Sequence, residues 1–213
     1  MIFVLVGRAD DPGVTQRMNA IKRRPADQPL AVAGFGELAP WIAQLDAAPA
    51  VEHVAIGLDC APAEAVRRLF YFPVGVVLPA LPGLPAGVTA PGCGSQRTVM
   101  LVGESWSLEF AGFRDFFNAV VRELWRRGML LAGTSANRSE ASTYSIHDQH
   151  ALARNMESDV DFLVLRRKLP PISARSCFAS STIWDLTGSL PKLRREGSVH
   201  PHRFRSILGE YIS

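Results

Sequence analysis

Short apolar runs alternate with amphipathic segments along most of this sequence of 213 residues, and no other feature limits its fold as strongly. Each run has the length and continuity of a buried strand. On that basis we predict strands at 1–6, 30–33, 51–56, 74–78, 98–102, 129–132 and 160–165. Two later segments, 180–186 and 192–195, read as strands joined by a turn at Thr187 and Gly188.

Helical periodicity fills the intervals between these runs. The clearest helix is 113–127, where Phe113, Phe117 and Leu124 belong to one apolar stripe and Gly128 suits the cap. The other predicted helices are 13–22, 37–45, 62–70, 147–155 and 201–208. Early alternation followed by a late group of strands predicts an α/β (α+β) fold, a twisted mixed β-sheet with packed helices.

Composition narrows the class of protein. Hydrophobic residues make up 47% of the chain, which is enough for a sizeable core and argues against disorder over most of its length. Because neither a repeat nor a long linker interrupts the pattern, we expect one domain over 1–213. The net charge of +3 is too small for a nucleic-acid-binding tail.

The sequence also predicts a cytoplasmic protein without a membrane partner. The three cysteines, Cys60, Cys93 and Cys177, are sparse and lack zinc-ligand spacing, which fits a reducing compartment. The start of the chain meets Arg8 too soon for a signal peptide. The most apolar stretch, 74–90, is interrupted by three prolines and is too broken for a membrane helix.

Two of four candidate segments lie at the ends of predicted elements in the first two thirds of the chain. In 21–30 a helix ends in Lys22 and Arg24, a compact cation and a bidentate fork that both suit phosphate. Compensation of the helix dipole is the alternative explanation. In 131–139 a buried strand runs into Thr134, Ser135 and Asn137, polar residues placed where open sheets bind ligands, although an ordinary turn would use the same residues.

The other two candidate segments lie in the last third. In 180–188 the hydroxyls of Ser181 and Thr182 enter a strand, where they could bind a ligand or only pair across the sheet. In 190–198 a basic strand containing Arg195 reaches a glycine turn. There is no Walker A loop, GxSxG elbow or GxGxxG, and His147 and His150 have no evident partner for a metal site.

In this order, the four segments resemble the signature of the YrdC-like, threonylcarbamoyl-adenylate synthase family. The matching motifs are KxR followed by Pro29 and Leu30, then SAN after a buried strand, then STIWDLTG, then REG. The segment 71–78 is similar to a worn form of the family's WPGPLTLVL. The resemblance extends from the start of the chain to about Val199.

What the resemblance implies is a twisted sheet around a concave, basic cavity. It also implies an enzyme that joins L-threonine, bicarbonate and ATP, with Mg²⁺, into threonylcarbamoyl-AMP and pyrophosphate for the t6A modification of tRNA. Carried over by motif, Lys22 and Arg24 would be catalytic. Phosphate or nucleotide, as ATP or AMP, would contact Lys22, Arg24, Thr134, Ser135, Asn137, Ser181, Thr182 and Arg195.

The departures from the family's pattern fall on the threonine half of the expected site. Without gaps, Met1 aligns with the threonine of the family's TVYGL, so the PTxT residues before it are absent from this sequence. Val102 takes the place of an arginine that would bind the substrate carboxylate, and the WPGPLT-like segment has lost its hydroxyl. Arg97 and Arg175 are the candidates to supply the missing cation.

These departures favour a changed substrate or lost activity, and a second function class therefore stays open. The alternative is a non-catalytic nucleotide- or RNA-binding relative of the synthases. For RNA, the clusters 22–24, 166–168 and 192–195 would have to converge on the concave face, and binding would weaken steeply with salt.

Overall fold

The computed structural model describes residues 4–70, 72, 74–103, 111–135, 158–162 and 181–197. Its strands are β1 (Val4–Arg8), β2 (Ala31–Gly34), β3 (Val74–Pro79), β4 (Thr89–Pro91), β5 (Arg97–Gly103), β6 (Leu131–Ser135), β7 (Thr182–Asp185) and β8 (Lys192–Arg195). Its α-helices are α1 (Pro12–Ile21), α2 (Ala39–Ile42), α3 (Pro49–Gly57), α4 (Pro62–Leu69) and α5 (Ala111–Arg126). None of the helices in these ranges is long and apolar enough to cross a bilayer.

The strands form one mixed sheet in the order β1-β6-β2-β5-β3-β7-β8, with β4 added to β5 outside this path. Two pairs, β2 with β5 and β3 with β7, are parallel, and the other pairs are antiparallel. The predicted twisted mixed sheet with packed helices is therefore confirmed.

The main core lies on one face of this sheet. Across its centre, Val32, Leu101, Val76 and Trp184 are register partners in one row, and all four are buried. Helices α1, α3 and α4 add buried side chains to the same cluster. We call this side of the sheet the main-core face.

The opposite side carries a smaller core beneath α5. Because side chains alternate along a strand, Ala33 and Leu131 point away from the main core. They cluster there with Val121, and Phe117 and Leu124 of α5 pack against them. We call this side the α5 face.

Helix α1 is held unusually close to β1. A Cβ added at Gly7 would lie 2.5 Å from Cγ1 of Val14 and 2.9 Å from Sδ of Met18, so only glycine permits this approach. The helix begins with Pro12 after the capping carboxylate of Asp11, which accepts from two backbone N–H groups. This packing fixes the position of the C-terminus of α1 relative to the sheet.

One predicted element was of the wrong type. The segment 51–56, predicted as a strand, belongs to helix α3, whose buried residues Ala50, Val51, Val54 and Ala55 have helical spacing. A short apolar run does not distinguish a buried helix from a buried strand, and Pro49 at the first turn was the missed signal.

Other differences concern extent. The predicted helix 37–45 is a 3₁₀ turn, Gly36–Leu38, followed by the short α2, and it ends where Ala43 bridges to Ala80. β4 falls where we predicted a loop, and β6 continues through Ser135. Of the predicted strand 160–165, residues 160–162 are not in a strand, and the rest lies outside the described residues, as do 147–155 and 201–208.

Candidate functional site

Lys22 is a buried cation at the end of α1. Its residue is only 4% exposed, and its Nζ donates to the carbonyl oxygen of Ser135 at 2.6 Å and to the Ser135 Oγ at 3.1 Å. Burial, followed by the nearby charge of Arg24, lowers the pKa of Lys22 to about 8. The fold therefore holds an ammonium group where its charge is costly.

Arg24 lies near Lys22, and one nitrogen of its guanidinium has no hydrogen-bond acceptor among the described residues. Its Nε donates to Oδ1 of Asn19 at 2.6 Å, whereas its Nη2 is buried and has no hydrogen-bond partner within the described ranges. Burial lowers the pKa of the Arg24 guanidinium. A buried donor without an acceptor costs about 1–3 kcal/mol, so an anion placed at Nη2 would relieve this cost.

The backbone between these two residues explains their spacing. Arg23 is left-handed, with a φ of 53°, and its N–H donates to the Ala20 carbonyl while the Arg24 N–H donates to the Asn19 carbonyl. This is a Schellman ending of α1 with arginine in place of the usual glycine. The resulting reversal of the chain brings Lys22 and Arg24 close enough for their charges to interact.

Strand β6 supplies the acceptors for Lys22. Residues Thr134 and Ser135, predicted as the start of a loop, are its last two strand residues. By alternation with Leu131, Ser135 points to the α5 face, whereas Thr134 points to the main-core face. Asn137, the third predicted residue of this segment, lies outside the described residues.

We call Asn19, Lys22, Arg24 and Ser135 the edge cluster. Of these, Asn19 was not predicted from the sequence, and it is fully buried at 0% exposure. The available signal was an asparagine inside a helix, where its side chain normally competes with the backbone for hydrogen bonds and is unfavourable.

The remaining predicted residues lie on the β7–β8 hairpin. Arg195 donates from Nε and Nη2 to the carbonyl oxygen of Ser181, at 3.2 and 3.0 Å. Burial of part of its guanidinium lowers the pKa of Arg195, although the residue as a whole is exposed. Thr182 is 0% exposed and shares the main-core face with Trp184, so its side chain is on the side opposite to Ser135.

The same hairpin contains an ion pair that closes its turn. Nη2 of Arg194 lies 2.7 Å from Oδ2 of Asp185, and Oδ1 of Asp185 accepts from the backbone N–H and the hydroxyl of Thr187. Burial raises the pKa of Asp185, but the hydrogen bonds from Thr187 and Arg194 outweigh it and the pKa is lowered overall. We call Ser181, Asp185, Thr187, Arg194 and Arg195 the hairpin cluster.

The two clusters are distant in the sheet order. β2, β5 and β3 separate β6 from β7. Register and alternation nevertheless put Arg195, the partner of Ile183, on the same α5 face as Ser135. The structure thus brings Lys22, Arg24 and Ser135 together, and joins Arg195 to Ser181 in a second group.

The α5 face between the clusters is apolar where the departures from the family pattern fall. Gly75 pairs with both Val102 and Ile183, and a Cβ added to it would lie 3.0 Å from Cγ1 of Val102 and 3.4 Å from Cγ1 of Ile183. Arg97 binds Oγ1 and the carbonyl of Thr89 on β4, both at 2.9 Å. Arg175 lies outside the described residues.

Two clefts are found near α1. One of about 340 Å³ includes Arg17, Arg23 and Asp159 in its lining, and one of about 390 Å³ includes Asp10, Thr15 and Asp27. Neither is lined by Lys22, Arg24 or Arg195. The concave basic cavity implied by the motifs therefore stays a prediction, and the hydrogen bonds and charges define the candidate site here.

Comparison with solved structures identifies chains of similar fold. The chain is similar to a double variant of P. abyssi Sua5, with 21% identity, a TM-score of 0.65, and coverage of 100% of this chain and 55% of the other. It is also similar to P. abyssi Sua5 complexed with L-threonine, with 20% identity, a TM-score of 0.66, and coverage of 100% and 52%. No family model and no curated protein matches the sequence.

At this level of identity the likeness shows the fold alone. The protein has a Sua5-like fold, as the YrdC-like motifs predicted. The chain spans about half the length of the Sua5 chains that it matches.

Proposed function

We propose that the edge cluster binds the phosphates of ATP, and that the protein is a nucleotidyltransferase of the threonylcarbamoyl-adenylate synthase type. The observation that carries the proposal is that a buried ammonium, Lys22, lies near a guanidinium whose buried Nη2 has no acceptor in the part of the chain that the structure describes. Burial makes the charge of both cations costly, and a phosphate would offset that cost.

The proposed chemistry needs no covalent nucleophile from the protein. The amine of the amino acid forms a bond to the carbon of bicarbonate, and water leaves to give a carbamate. A carbamate oxygen then forms a bond to the α-phosphorus of ATP, and the bond from that phosphorus to the pyrophosphate oxygen breaks. Lys22 and Arg24 would hold the phosphates and stabilise the negative charge of the transition state, while Ser135 orients the ammonium.

Magnesium would enter with the nucleotide. No group of three or more His, Cys, Asp or Glu side chains suited to a metal occurs in the part of the chain that the structure describes. The edge cluster offers cations rather than ligands, and Mg²⁺ is commonly held largely by substrate phosphates and water. The proposed substrate is therefore Mg·ATP.

The proposal also concerns the amino acid that would serve as the second substrate. One of the Sua5 structures contains L-threonine. In this chain the α5 face carries Val102 beside Gly75 and Ile183, and Arg97 is bound to β4. An amino-acid carboxylate near phosphates needs a cation, so we expect L-threonine-dependent turnover to be weak or absent.

Binding is tested first, by titration calorimetry with Mg·ATP. We expect Lys22→Ala and Arg24→Gln each to weaken binding about tenfold to a hundredfold, the loss of a charge-assisted contact of about 1.5–3 kcal/mol. Lys192→Ala and Arg127→Gln remove the same charges from exposed positions and should change affinity less than about threefold. Equal losses in both pairs of variants, or no binding by the wild type, would refute the phosphate site.

Turnover is tested next, by pyrophosphate release from Mg·ATP with bicarbonate and each of the twenty amino acids. Turnover with one amino acid other than threonine would identify a synthase with a changed substrate. Nucleotide binding without release for any amino acid would favour the non-catalytic nucleotide-binding alternative. Threonine-specific turnover at an ordinary enzymatic rate would show that the apolar Val102 site does not have the consequence inferred above.

A further inference from the structure

The side-chain amide of Asn19 forms hydrogen bonds to the segment that follows α1 through both its nitrogen and its oxygen. Its Nδ2 donates to the carbonyl oxygens of Ala26 and Gln28 at 2.9 and 2.8 Å, and its Oδ1 accepts from Nε of Arg24 at 2.6 Å. The residue is 0% exposed. Only this orientation of the amide satisfies two acceptors and one donor, so the surroundings determine which atom is the oxygen.

These bonds restrict Arg24 at two points. Its backbone N–H donates to the Asn19 carbonyl at 3.1 Å, and its Nε is held by the Asn19 side chain. A guanidinium is planar, and with Nε held by a fixed acceptor its two terminal nitrogens have little freedom to turn. The buried Nη2 is therefore held in place before any ligand arrives.

We propose that Asn19 is a positioning residue that orients Arg24 for a phosphate group; this inference rests on the proposed function. Asn19 itself contacts no ligand in this scheme. It fixes the guanidinium and, through Ala26 and Gln28, the loop that follows. Without Asn19, Arg24 would keep its charge but would have to be ordered at each binding event, which lowers affinity.

The alternative is that Asn19 only stabilises the loop. The two roles differ in one respect: a positioning role acts through Arg24, whereas a loop-stabilising role does not depend on it. A double-mutant cycle between Asn19 and Arg24 separates them.

The experiment measures Mg·ATP affinity for the wild type, Asn19→Leu, Arg24→Gln and the double variant by titration calorimetry. We expect Asn19→Leu to weaken binding about tenfold, as the cost of a misplaced contact, and to have no further effect when Arg24 is already Gln. Losses that multiply in the double variant would overturn the proposal. If Asn19→Leu does not fold, Asn19→Ser replaces it, because a serine hydroxyl is too short to reach Nε.

A second readout does not depend on nucleotide. The Arg24 Nε–H signal in a ¹H–¹⁵N spectrum should be protected from solvent exchange in the wild type and lost in the Asn19 variant, while Lys22→Ala should leave it in place. If the wild type binds no ATP but this pattern holds, the proposed function fails and the positioning contact stands. If the signal is equally unprotected in the wild type, the positioning role is wrong whatever the affinity for ATP.

Discussion

Lys22 and Arg24 are cations whose charge the fold buries, whereas Arg194 and Arg195 lie exposed on a hairpin and bind acceptors of the same hairpin. In the edge cluster Lys22 donates to the carbonyl and the hydroxyl of Ser135, and burial lowers the pKa of Lys22 and that of Arg24. Burial also lowers the pKa of Arg195, but its guanidinium donates twice to the carbonyl oxygen of Ser181. In the hairpin cluster Asp185 lies against Arg194 and holds the turn.

The difference separates two uses of basic residues. In the pair of Arg194 and Asp185 the cation is exposed and lies against a carboxylate, so the pair helps to fix a turn and the charge of the arginine costs little. The burial of two neighbouring cations reduces stability, a bound anion would offset that cost, and proteins tend to keep such arrangements at functional sites. Basic motifs of equal appearance in a sequence can therefore have opposite energetic roles.

The largest expected effect on stability concerns Lys22 and its dependence on pH. Burial lowers its pKa from 10.5 to about 8, so between these values the unfolded chain keeps a proton that the folded chain has released. The wild type therefore gains stability as pH rises through this window, and the cost of the buried charge is fully present below about pH 8.

Lys22→Met has no such cost, and its free energy of unfolding relative to the wild type should fall by on the order of 3 kcal/mol from pH 7.5 to 10.5. Urea unfolding at both pH values measures this difference, with Lys192→Met as the exposed control. A difference between Lys22→Met and the wild type that does not vary with pH would mean that Lys22 is not buried as a charge.

An intermediate effect is expected in the hairpin cluster. Asp185→Ala removes the bonds to the N–H and hydroxyl of Thr187 and the pairing with Arg194, and should lower the free energy of unfolding by about 2 kcal/mol. The pKa of Asp185 is lowered, so its contribution is present above about pH 4 and is lost as the pH falls through the lower folded value.

The measurement for Asp185 is urea unfolding of both proteins at pH 7 and pH 3, together with Mg·ATP titration at pH 7. The difference in free energy of unfolding between Asp185→Ala and the wild type should be smaller at pH 3 than at pH 7. The affinity for Mg·ATP should change less than about twofold, because the contacts of Asp185 do not involve the edge cluster. If Asp185→Ala lost as much ATP affinity as Lys22→Ala, the hairpin cluster would also contribute to ATP binding, and the two clusters would not have separate roles.

The smallest expected effect is on stability and concerns Arg23 at the C-terminus of α1. Arg23 is left-handed at the position where helices usually have glycine, so Arg23→Gly should stabilise the protein by about 0.5–1 kcal/mol. Arg23→Ala removes the same charge but keeps a Cβ, and should give no such gain. Thermal unfolding compares the variants, and an equal gain from both would show that charge, rather than backbone strain, is relieved.

Periodicity was sufficient for much of the fold because burial imposes it directly on the sequence. The stripe of α5 and the apolar runs of β3 and β5 were recognised for this reason. Periodicity failed at α3, where a short apolar run fits a helix or a strand equally well and packing against the sheet decides. It also gave no signal for β4, because three residues are too few to show alternation and their strand structure depends on pairing with β5.

For the site, the charged and hydroxyl-bearing residues could be read from the sequence alone, namely Lys22 and Arg24 in their KxR spacing and the polar end of β6. The tertiary structure buries Lys22 against Ser135, a contact between residues 113 positions apart that depends on which elements pack together. It reverses the chain at the left-handed Arg23 so that Asn19 holds Arg24. It also put Thr182 on the main-core face and Arg195 on the α5 face, since the side that a strand residue occupies follows from the register of the whole sheet.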